Sequence, residues 1–299
     1  VDTFEPMETI TPVSNIALAA VWVPEIPDAP IDTLTATSGA VTIEVGQGPG
    51  NGGVPTSYTV TASPSGAQCT VNSPATSCTI AGLTNGTPYT FSVVATNSSG
   101  SSTATVSGPV TPASVPSAPT SPVATVDDGR ATVSFTAPAN SAAGNGGSAI
   151  TSYSVTAYDS SGNAVTTCTV AAPATSCVVT GLTNGTPYTY KAVATNAIGS
   201  STASAASAAV TPATVPGAPA TVSASAASAT TASVNVGAST TNGGSAITSY
   251  TIIATGPSGA TIVETVTASA ISGAITVSGL APGTQYSIKV VANNAVGSG

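Results

Sequence analysis

The chain has 299 residues, of which only 5% are charged, and it contains no histidine. Its net charge of −8 comes from 11 acidic residues against three cations, which are too few to neutralise a run of phosphates. Nucleic acid is therefore a very poor candidate partner, and an anionic membrane surface is disfavoured for the same reason.

The first predicted element is a short apolar segment near the N-terminus. Residues 1–24 match none of the repeats that follow, and Ile16, Leu18, Val21 and Trp22 belong to an apolar run that ends at the tryptophan. The segment resembles the closing strand of an internalin-type surface repeat, which implies a bacterial secreted or surface protein with another domain before this one. The run is far shorter than the roughly 20 residues of a membrane span, so no membrane insertion is expected. No signal peptide is present either, and we interpret the chain as a processed or excised piece.

From residue 25 onward, one pattern of residues occurs three times. Each copy contains an Asn-Gly-Gly, then a Gly-Leu pair followed by a tyrosine, and then an Ala-x-Asn-x-x-Gly phrase. The leucines of the Gly-Leu pairs lie about 100 residues apart, which is the size of a small domain and too long for a solenoid unit. We predict domains at residues 25–113, 114–213 and 214–299.

The second copy shows the expected strands best. Residues 131–135, 151–158 and 188–195 alternate apolar and polar side chains, and residues 202–210 complete the domain as its last strand. Short strands with turn signals at close intervals, and no helical period, predict an all-β fold of three tandem antiparallel sandwiches, with seven strands in the second copy. The third copy stops two residues after Gly297, so we expect it to lack its last strand.

The four cysteines form two pairs with identical spacing, Cys69 with Cys78 and Cys168 with Cys177. We expect a disulfide within each of the first two domains, which implies an oxidising, extracytoplasmic setting. The alternative, a metal site with four cysteine ligands, lacks the close C-x-x-C spacing of such sites. Counting back from Leu280 puts Val266 and Ile275 at the matching places in the third copy.

The segment from Leu182 to Tyr188 resembles the corner between the fifth and sixth strands, E and F, of fibronectin type III domains. Leu182 precedes Tyr188 by six residues, with Asn-Gly and Pro between them, and Val-Pro-x-Ala-Pro openings begin at Val115 and Val215. The resemblance implies immunoglobulin-like sandwiches, each with a tyrosine corner in which the hydroxyl bonds back to the backbone. The corner residues are Leu83, Tyr89, Leu182, Tyr188, Leu280 and Tyr286. The strand-B tryptophan usual in the family is absent, and Val45, Phe135 and Val236 stand in its place.

Catalytic chemistry finds no support in the residues. Without histidine, neither a Ser-His-Asp nor a Cys-His arrangement can form. The carboxylates of Asp127, Asp128 and Asp159 fall in predicted hairpin turns, and the glycine-rich loops lack the lysine and helix of a phosphate-binding site. We therefore predict no enzyme and no catalytic, cofactor-binding or metal-ligating residue. A calcium site at Glu25, Asp28 and Asp32 stays open as an alternative.

These features together favour an extracellular or cell-surface structural protein, a semi-rigid row of sandwiches acting as a spacer or filament subunit. Its expected partners are other copies of itself or neighbouring domains of the parent chain. In the filament case, Ile16–Trp22 is the candidate strand for insertion into a second subunit. The alternative is a glycan-binding accessory module of a secreted polysaccharide hydrolase or an adhesin. A third hypothesis is a component of a virus particle.

Overall fold

The computed structural model describes residues 26–46 and 53–299, which fall into two compact units. The first unit holds one β-sandwich and the second holds two, and every paired strand is antiparallel. The predicted all-β class with three tandem sandwiches is confirmed. The N-terminal segment with Ile16, Leu18, Val21 and Trp22 lies outside the described residues, as does Glu25.

The first sandwich contains a three-stranded sheet in the order β1-β2-β5 and a second sheet in the order β4-β3-β6, extended at the β6 edge by β7 and β8. Its strands are β1 (Ile31–Thr37), β2 (Ala40–Val45), β3 (Ser57–Ser63), β4 (Gln68–Asn72), β5 (Ser77–Ala81), β6 (Thr90–Asn97), β7 (Gly100–Ser101) and β8 (Thr105–Val106).

The second sandwich pairs a β9-β10-β13 sheet with a β12-β11-β14 sheet. Its strands are β9 (Thr120–Asp127), β10 (Arg130–Thr136), β11 (Ile150–Tyr158), β12 (Ala164–Ala171), β13 (Ser176–Thr180) and β14 (Thr189–Asn196). One helical turn, α1 (Ala142–Asn145), lies in the β10–β11 loop.

The third sandwich repeats this arrangement with a β15-β16-β19 sheet and a β18-β17-β20 sheet. Its strands are β15 (Val222–Ala226), β16 (Thr231–Val236), β17 (Ser249–Thr255), β18 (Thr261–Thr267), β19 (Ile275–Ser278) and β20 (Ser287–Asn293). A 3₁₀ helix at Ala268–Ser272 connects β18 to β19. Among the described residues, no helix has the length and apolar character needed to cross a membrane.

Alternation along the strands builds each core. In β3, Tyr58, Val60 and Ala62 are buried, while Thr59 and Thr61 between them lie on the other face, so one face packs and the other carries hydroxyls. Each sandwich has its own apolar cluster drawn from both of its sheets. The residues at the place of the missing tryptophan, Val45, Phe135 and Val236, are all buried.

The sequence predicts that residues 202–210 form the last strand of the second domain. This prediction is wrong, because the segment is not a regular strand. The N–H groups of Ser201, Ser204, Ser207 and Val210 donate to the carbonyls of Ala194, Ala192, Tyr190 and Tyr188 of the second domain. Three residues of this segment therefore advance as far as two residues of β14, about 2.2 Å per residue instead of the roughly 3.3 Å of a strand. We call residues 201–210 the serine ladder.

The predicted match of Val266 in the third domain to Cys168 in the second is also wrong. Cys168 lies opposite Val155, and the equivalent residue of β17, Ile252, lies opposite Glu264 instead of Val266. The 3₁₀ helix between β18 and β19 shifts the count by two residues. Ile275 does match Cys177, since the two residues pair with equivalent valines, Val234 and Val133.

Candidate functional site at the joint between the second and third domains

The linker that enters the third domain is hydrogen-bonded to that domain's β16–β17 loop. The Thr214 N–H donates to the Gly243 carbonyl at 2.7 Å, and the Gly217 N–H donates to the Thr241 carbonyl at 3.0 Å. Pro216 lies between the two bonded positions and fixes one backbone angle there. Residues 214–217 of the linker are thus bound to the β16–β17 loop at both ends.

A buried asparagine, Asn294, ties three segments of this joint together. Its Nδ2 donates to the carbonyls of Thr214 at 2.7 Å and Asn242 at 2.9 Å. Its Oδ1 accepts from the N–H groups of Val296 and Gly297. All four hydrogen bonds available to an asparagine side chain are made, so linker, loop and the turn after β20 are joined at a single residue.

The second domain contains the same device at Asn196. This side chain is 4% exposed and donates to the carbonyls of Ser114 at 2.8 Å and Asn145 at 2.9 Å. Its Oδ1 accepts from the N–H groups of Ile198 and Gly199. The Ala-x-Asn-x-x-Gly phrase of the sequence is therefore the clamp that holds the incoming linker of the second and third domains.

Two glycines bring the backbones of the second and third domains into contact. Gly185 lies in the β13–β14 turn and donates its N–H to the Pro212 carbonyl at 2.9 Å. A Cβ added to Gly244 would lie 2.4 Å from the Gly185 nitrogen, closer than real Cβ atoms approach. Gly244 also has φ of +86°, which L side chains rarely adopt. The joint therefore requires glycine on the side of the third domain.

Asn184, beside Gly185, connects this contact to the β9–β10 turn. Its Nδ2 donates to Asp128 Oδ1 at 2.7 Å, and its Oδ1 accepts from the Gly129 N–H at 2.9 Å. In the same turn the Arg130 Nε donates to Asp127 Oδ2 at 3.0 Å, and the hydrogen bond from this guanidinium lowers the pKa of Asp127. These carboxylates support turns.

The remaining candidate carboxylate, that of Asp159, has a similar role. Asp159 accepts from the backbone N–H groups of Asn163 and Ser161. These bonds close the β11–β12 turn and lower the pKa of Asp159.

Within residues 26–46 and 53–299, no cluster of acids, cysteines or histidines could hold a metal ion. A groove of about 700 Å³ at the joint is lined by neutral side chains, among them Asn184, Thr241 and Asn242. This lining offers hydrogen bonds but no acid, base or nucleophile in an activating environment.

Both predicted disulfides are present in the structure. Cys69 is bonded to Cys78 and Cys168 to Cys177, with Cα atoms 6.2 Å apart in each case. They link β4 to β5 and β12 to β13, which are edge strands of opposite sheets. Each bond therefore joins the two layers of its sandwich along one open side.

The tyrosine-corner residues lie at the turn before the last regular strand in the second and third domains. The Tyr188 hydroxyl accepts from the Thr183 N–H at 3.2 Å, and the Tyr286 hydroxyl accepts from the Ala281 N–H at 3.1 Å. Tyr89 is buried in the first domain. The adjacent Leu83 and Leu182 are buried, whereas Leu280 is only partly buried.

Sequence reasoning missed two groups of structural residues. The Ala-x-Asn-x-x-Gly phrase is visible in the sequence as a repeat, but the sequence does not show that its asparagine binds the linker. The serines at 201, 204 and 207 were overlooked, although their three-residue spacing signals a segment that is not a strand.

Comparison with protein-family models agrees with the fold. The fibronectin type III domain model matches residues 30–112, 117–210 and 217–299. A search of curated proteins found no matching relative. Among solved structures, the FN1–FN3 domains of chicken CNTN1 are 20% identical over 93% of this chain and 96% of that one, with a TM-score of 0.35. The family model covers most of the sequence in three consecutive matches, and the chain belongs to the fibronectin type III domain family.

Proposed function

We propose that this chain is an extracellular structural segment in which successive fibronectin type III domains form a semi-rigid spacer on a cell surface or along a filament. The observation that carries the proposal is the joint between the second and third domains. There the linker is bonded to the next domain, Asn294 clamps it, and Gly185 meets Gly244 directly. A joint built this way resists bending, which a spacer needs.

The surface supports the same role. The outward rows of the sheets consist mainly of hydroxyl-bearing and small side chains, such as Thr42 paired with Thr79 and Thr156 paired with Thr167. With few charges, copies or neighbouring domains can approach each other without strong repulsion. The disulfides suit an oxidising exterior.

The glycan-binding alternative has less support from the described residues. Sugar rings usually stack on an open aromatic face, but most of the tyrosines are buried in the cores. The half-buried Tyr158 has the Lys191 ammonium 5.1 Å from its ring centroid, which covers one side of that ring. The spacer role is supported by three features: the joint, the hydroxyl-rich surface and the disulfides.

Electron microscopy of the non-reduced 299-residue chain tests the proposal. We expect single particles in which the second and third domains meet at one preferred angle. Ordered filaments would favour the filament form of the same role. A broad, continuous range of angles between these two domains would contradict it.

A further inference from the structure

Strand β12 of the second domain is an edge strand with one side that no strand covers among the described residues. In its sheet β12 pairs only with β11. The strand runs from Ala164 to Ala171, and none of its eight side chains carries a charge. An uncovered strand edge presents backbone N–H and carbonyl groups to other chains, and proteins usually protect it with charges, proline, bulges or short length.

Several other edge strands of the molecule carry such protection. β9 contains Pro122 and ends at Asp127, and β1 contains Asp32 beside an irregular register. β18 carries Glu264 at its centre, and β4, β13 and β15 have only five residues each. The one irregularity in the register of β12 lies at its start, before Thr166. The rest of β12 is therefore a long, uncharged and regular edge.

The hydrogen bonds show which residues of β12 face this open side. Just after the strand, the Ala172 N–H donates to the Thr151 carbonyl at 3.0 Å. Bonded positions alternate along an antiparallel pair, so Cys168, four residues earlier, also bonds to β11. Thr167 and Thr169, on either side of it, direct their N–H and carbonyl groups toward the open side.

Side-chain positions agree with this assignment. The hydroxyls of Thr156 and Thr167 are 2.8 Å apart across the β11–β12 pair, and side chains lie closest at pairs whose backbones are not bonded to each other. Thr167 and Thr169 are both exposed on the outer face of the sheet. Their side chains and their backbone groups are therefore both accessible to a partner strand.

The sequence of β12 is complementary to itself in the antiparallel direction. A two-fold axis at Cys168 places Thr167 of one molecule opposite Thr169 of a second copy, and Thr166 opposite Val170. Both pairs consist of β-branched side chains, which suit a sheet, and neither contains a charge. Because Thr167 and Thr169 both face the open side, their N–H and carbonyl groups meet in the bonded arrangement of an antiparallel pair.

The third domain shows how the same edge is protected from pairing. Glu264 of β18 lies opposite Ile252, the place that Cys168 has opposite Val155 in the second domain. A two-fold axis at this position would put two Glu264 carboxylates directly opposite each other, and like charges there are destabilising. The absence of a charge at Cys168 therefore leaves β12 open to a pairing that β18 resists.

We propose that β12 pairs with β12 of a second copy about a two-fold axis at Cys168, which joins the β12-β11-β14 sheets of two second domains into one continuous sheet. Thr167 and Thr169 supply the central backbone bonds to the second copy. The row of hydroxyls formed by Thr156 and Thr167 then continues across the contact to Thr169 of that copy. The site binds by adding a strand to a sheet edge. It goes beyond the spacer role and does not depend on the stiffness of the joint.

Analytical ultracentrifugation of the non-reduced 299-residue chain, up to about millimolar concentration, tests the proposal. We expect a monomer–dimer equilibrium that Thr169→Lys weakens at least about tenfold, because lysine at a strand edge opposes pairing. Thr265→Lys is the matched control, since Thr265 is exposed at the equivalent register of β18, and it should leave the equilibrium unchanged. A wild type that stays monomeric, or equal weakening by both variants, would overturn the proposal.

Hydrogen exchange followed by NMR locates the contact in the wild-type protein. With rising protein concentration, the amides of Thr167 and Thr169 should exchange more slowly, because they gain partners in the second copy. The Cys168 amide, which already bonds to β11, should change little. A dimer that slows exchange on another strand, or that slows all three amides alike, would contradict the two-fold pairing. Circular dichroism of Thr169→Lys should match that of the wild type, which separates lost pairing from lost folding.

Discussion

Single buried hydroxyls in the second domain have opposite effects on its stability. Tyr190 is fully buried, and its hydroxyl has no hydrogen-bond partner within the described chain. The first domain places Phe91 at this position, with no hydroxyl. Tyr188, two residues earlier, has a hydroxyl that accepts a backbone N–H. We therefore expect the Tyr188 hydroxyl to stabilise the domain and the Tyr190 hydroxyl to destabilise it.

We expect Tyr190→Phe to leave the second domain equally stable or to stabilise it by up to about 1 kcal/mol, because an unsatisfied buried hydroxyl is removed. Tyr188→Phe is the matched control and should destabilise the domain by about 1–2 kcal/mol, because the Thr183 N–H loses its acceptor. Urea unfolding of both variants measures the difference. A larger loss for Tyr190→Phe than for Tyr188→Phe would contradict these roles.

We expect Tyr190 to make the free energy of unfolding of the second domain depend on pH in the alkaline range. Burial, with a smaller contribution from Tyr188, raises the pKa of Tyr190 from 10.0 to about 12. The folded state holds this proton more tightly than the unfolded chain, so its contribution is complete below about pH 10 and is lost as the pH rises through about 12. Between about pH 9 and about pH 11, urea midpoints of the wild type should fall more than those of Tyr190→Phe. Parallel curves would contradict the assignment.

At the level of elements, the serine ladder uses three side-chain hydroxyls as acceptors for the backbone N–H groups of Tyr190, Ala192 and Ala194. The residues between its serines are mostly exposed, so little apolar burial holds it in place. Such segments belong to the low-stability parts of a fold. Ser204 in particular satisfies both the N–H and the carbonyl of Ala192.

Ser204→Ala should destabilise the second domain by about 1–3 kcal/mol, because the buried Ala192 N–H loses its only side-chain acceptor. Thr202→Ala, an exposed position on the same segment, should change stability by less than about 0.5 kcal/mol. Urea unfolding, with hydrogen exchange at Ala192, compares the two. Equal effects would mean that the ladder is held by its backbone alone.

The sequence predicts the regular elements well because strand alternation and turn residues are local signals. Tyr153, Val155 and Ala157 are apolar positions of the alternating segment 151–158, and they are buried together. The errors occur where the period changes. A three-residue serine spacing was interpreted as a strand, and the 3₁₀ helix at Ala268–Ser272 displaced the match of Cys168 from Glu264 to Val266. The three-residue spacing of the serines is a visible signal of the first change, whereas the alternation of β18 and β19 gives no sign of the 3₁₀ helix between them.

At the scale of the whole molecule, the joint between the second and third domains is the contact on which the proposed spacer role rests. The Asn-Gly-Gly and Ala-x-Asn-x-x-Gly phrases were visible as repeats, but their meaning required the fold. Residues about 50 and 80 positions apart, such as Asn242, Thr214 and Asn294, come together only when the sandwich forms. Their convergence on one side chain fixes the linker to the third domain, and the Gly185–Gly244 contact adds the second domain.

The most direct test measures the distance distribution between these two domains by double electron–electron resonance, with spin labels at the exposed positions Ser160→Cys and Thr276→Cys. We predict a narrow distribution for the wild type and a broad one for Gly244→Ala, because the added Cβ meets the backbone of Gly185. Gly259→Ala is the matched control, since Gly259 has φ of +81° and nothing within 4 Å of an added Cβ. It should lose similar stability, about 1 kcal/mol, and keep the narrow distribution.

A broad distribution in the wild type, or one that Gly244→Ala leaves unchanged, would contradict the account of a semi-rigid spacer.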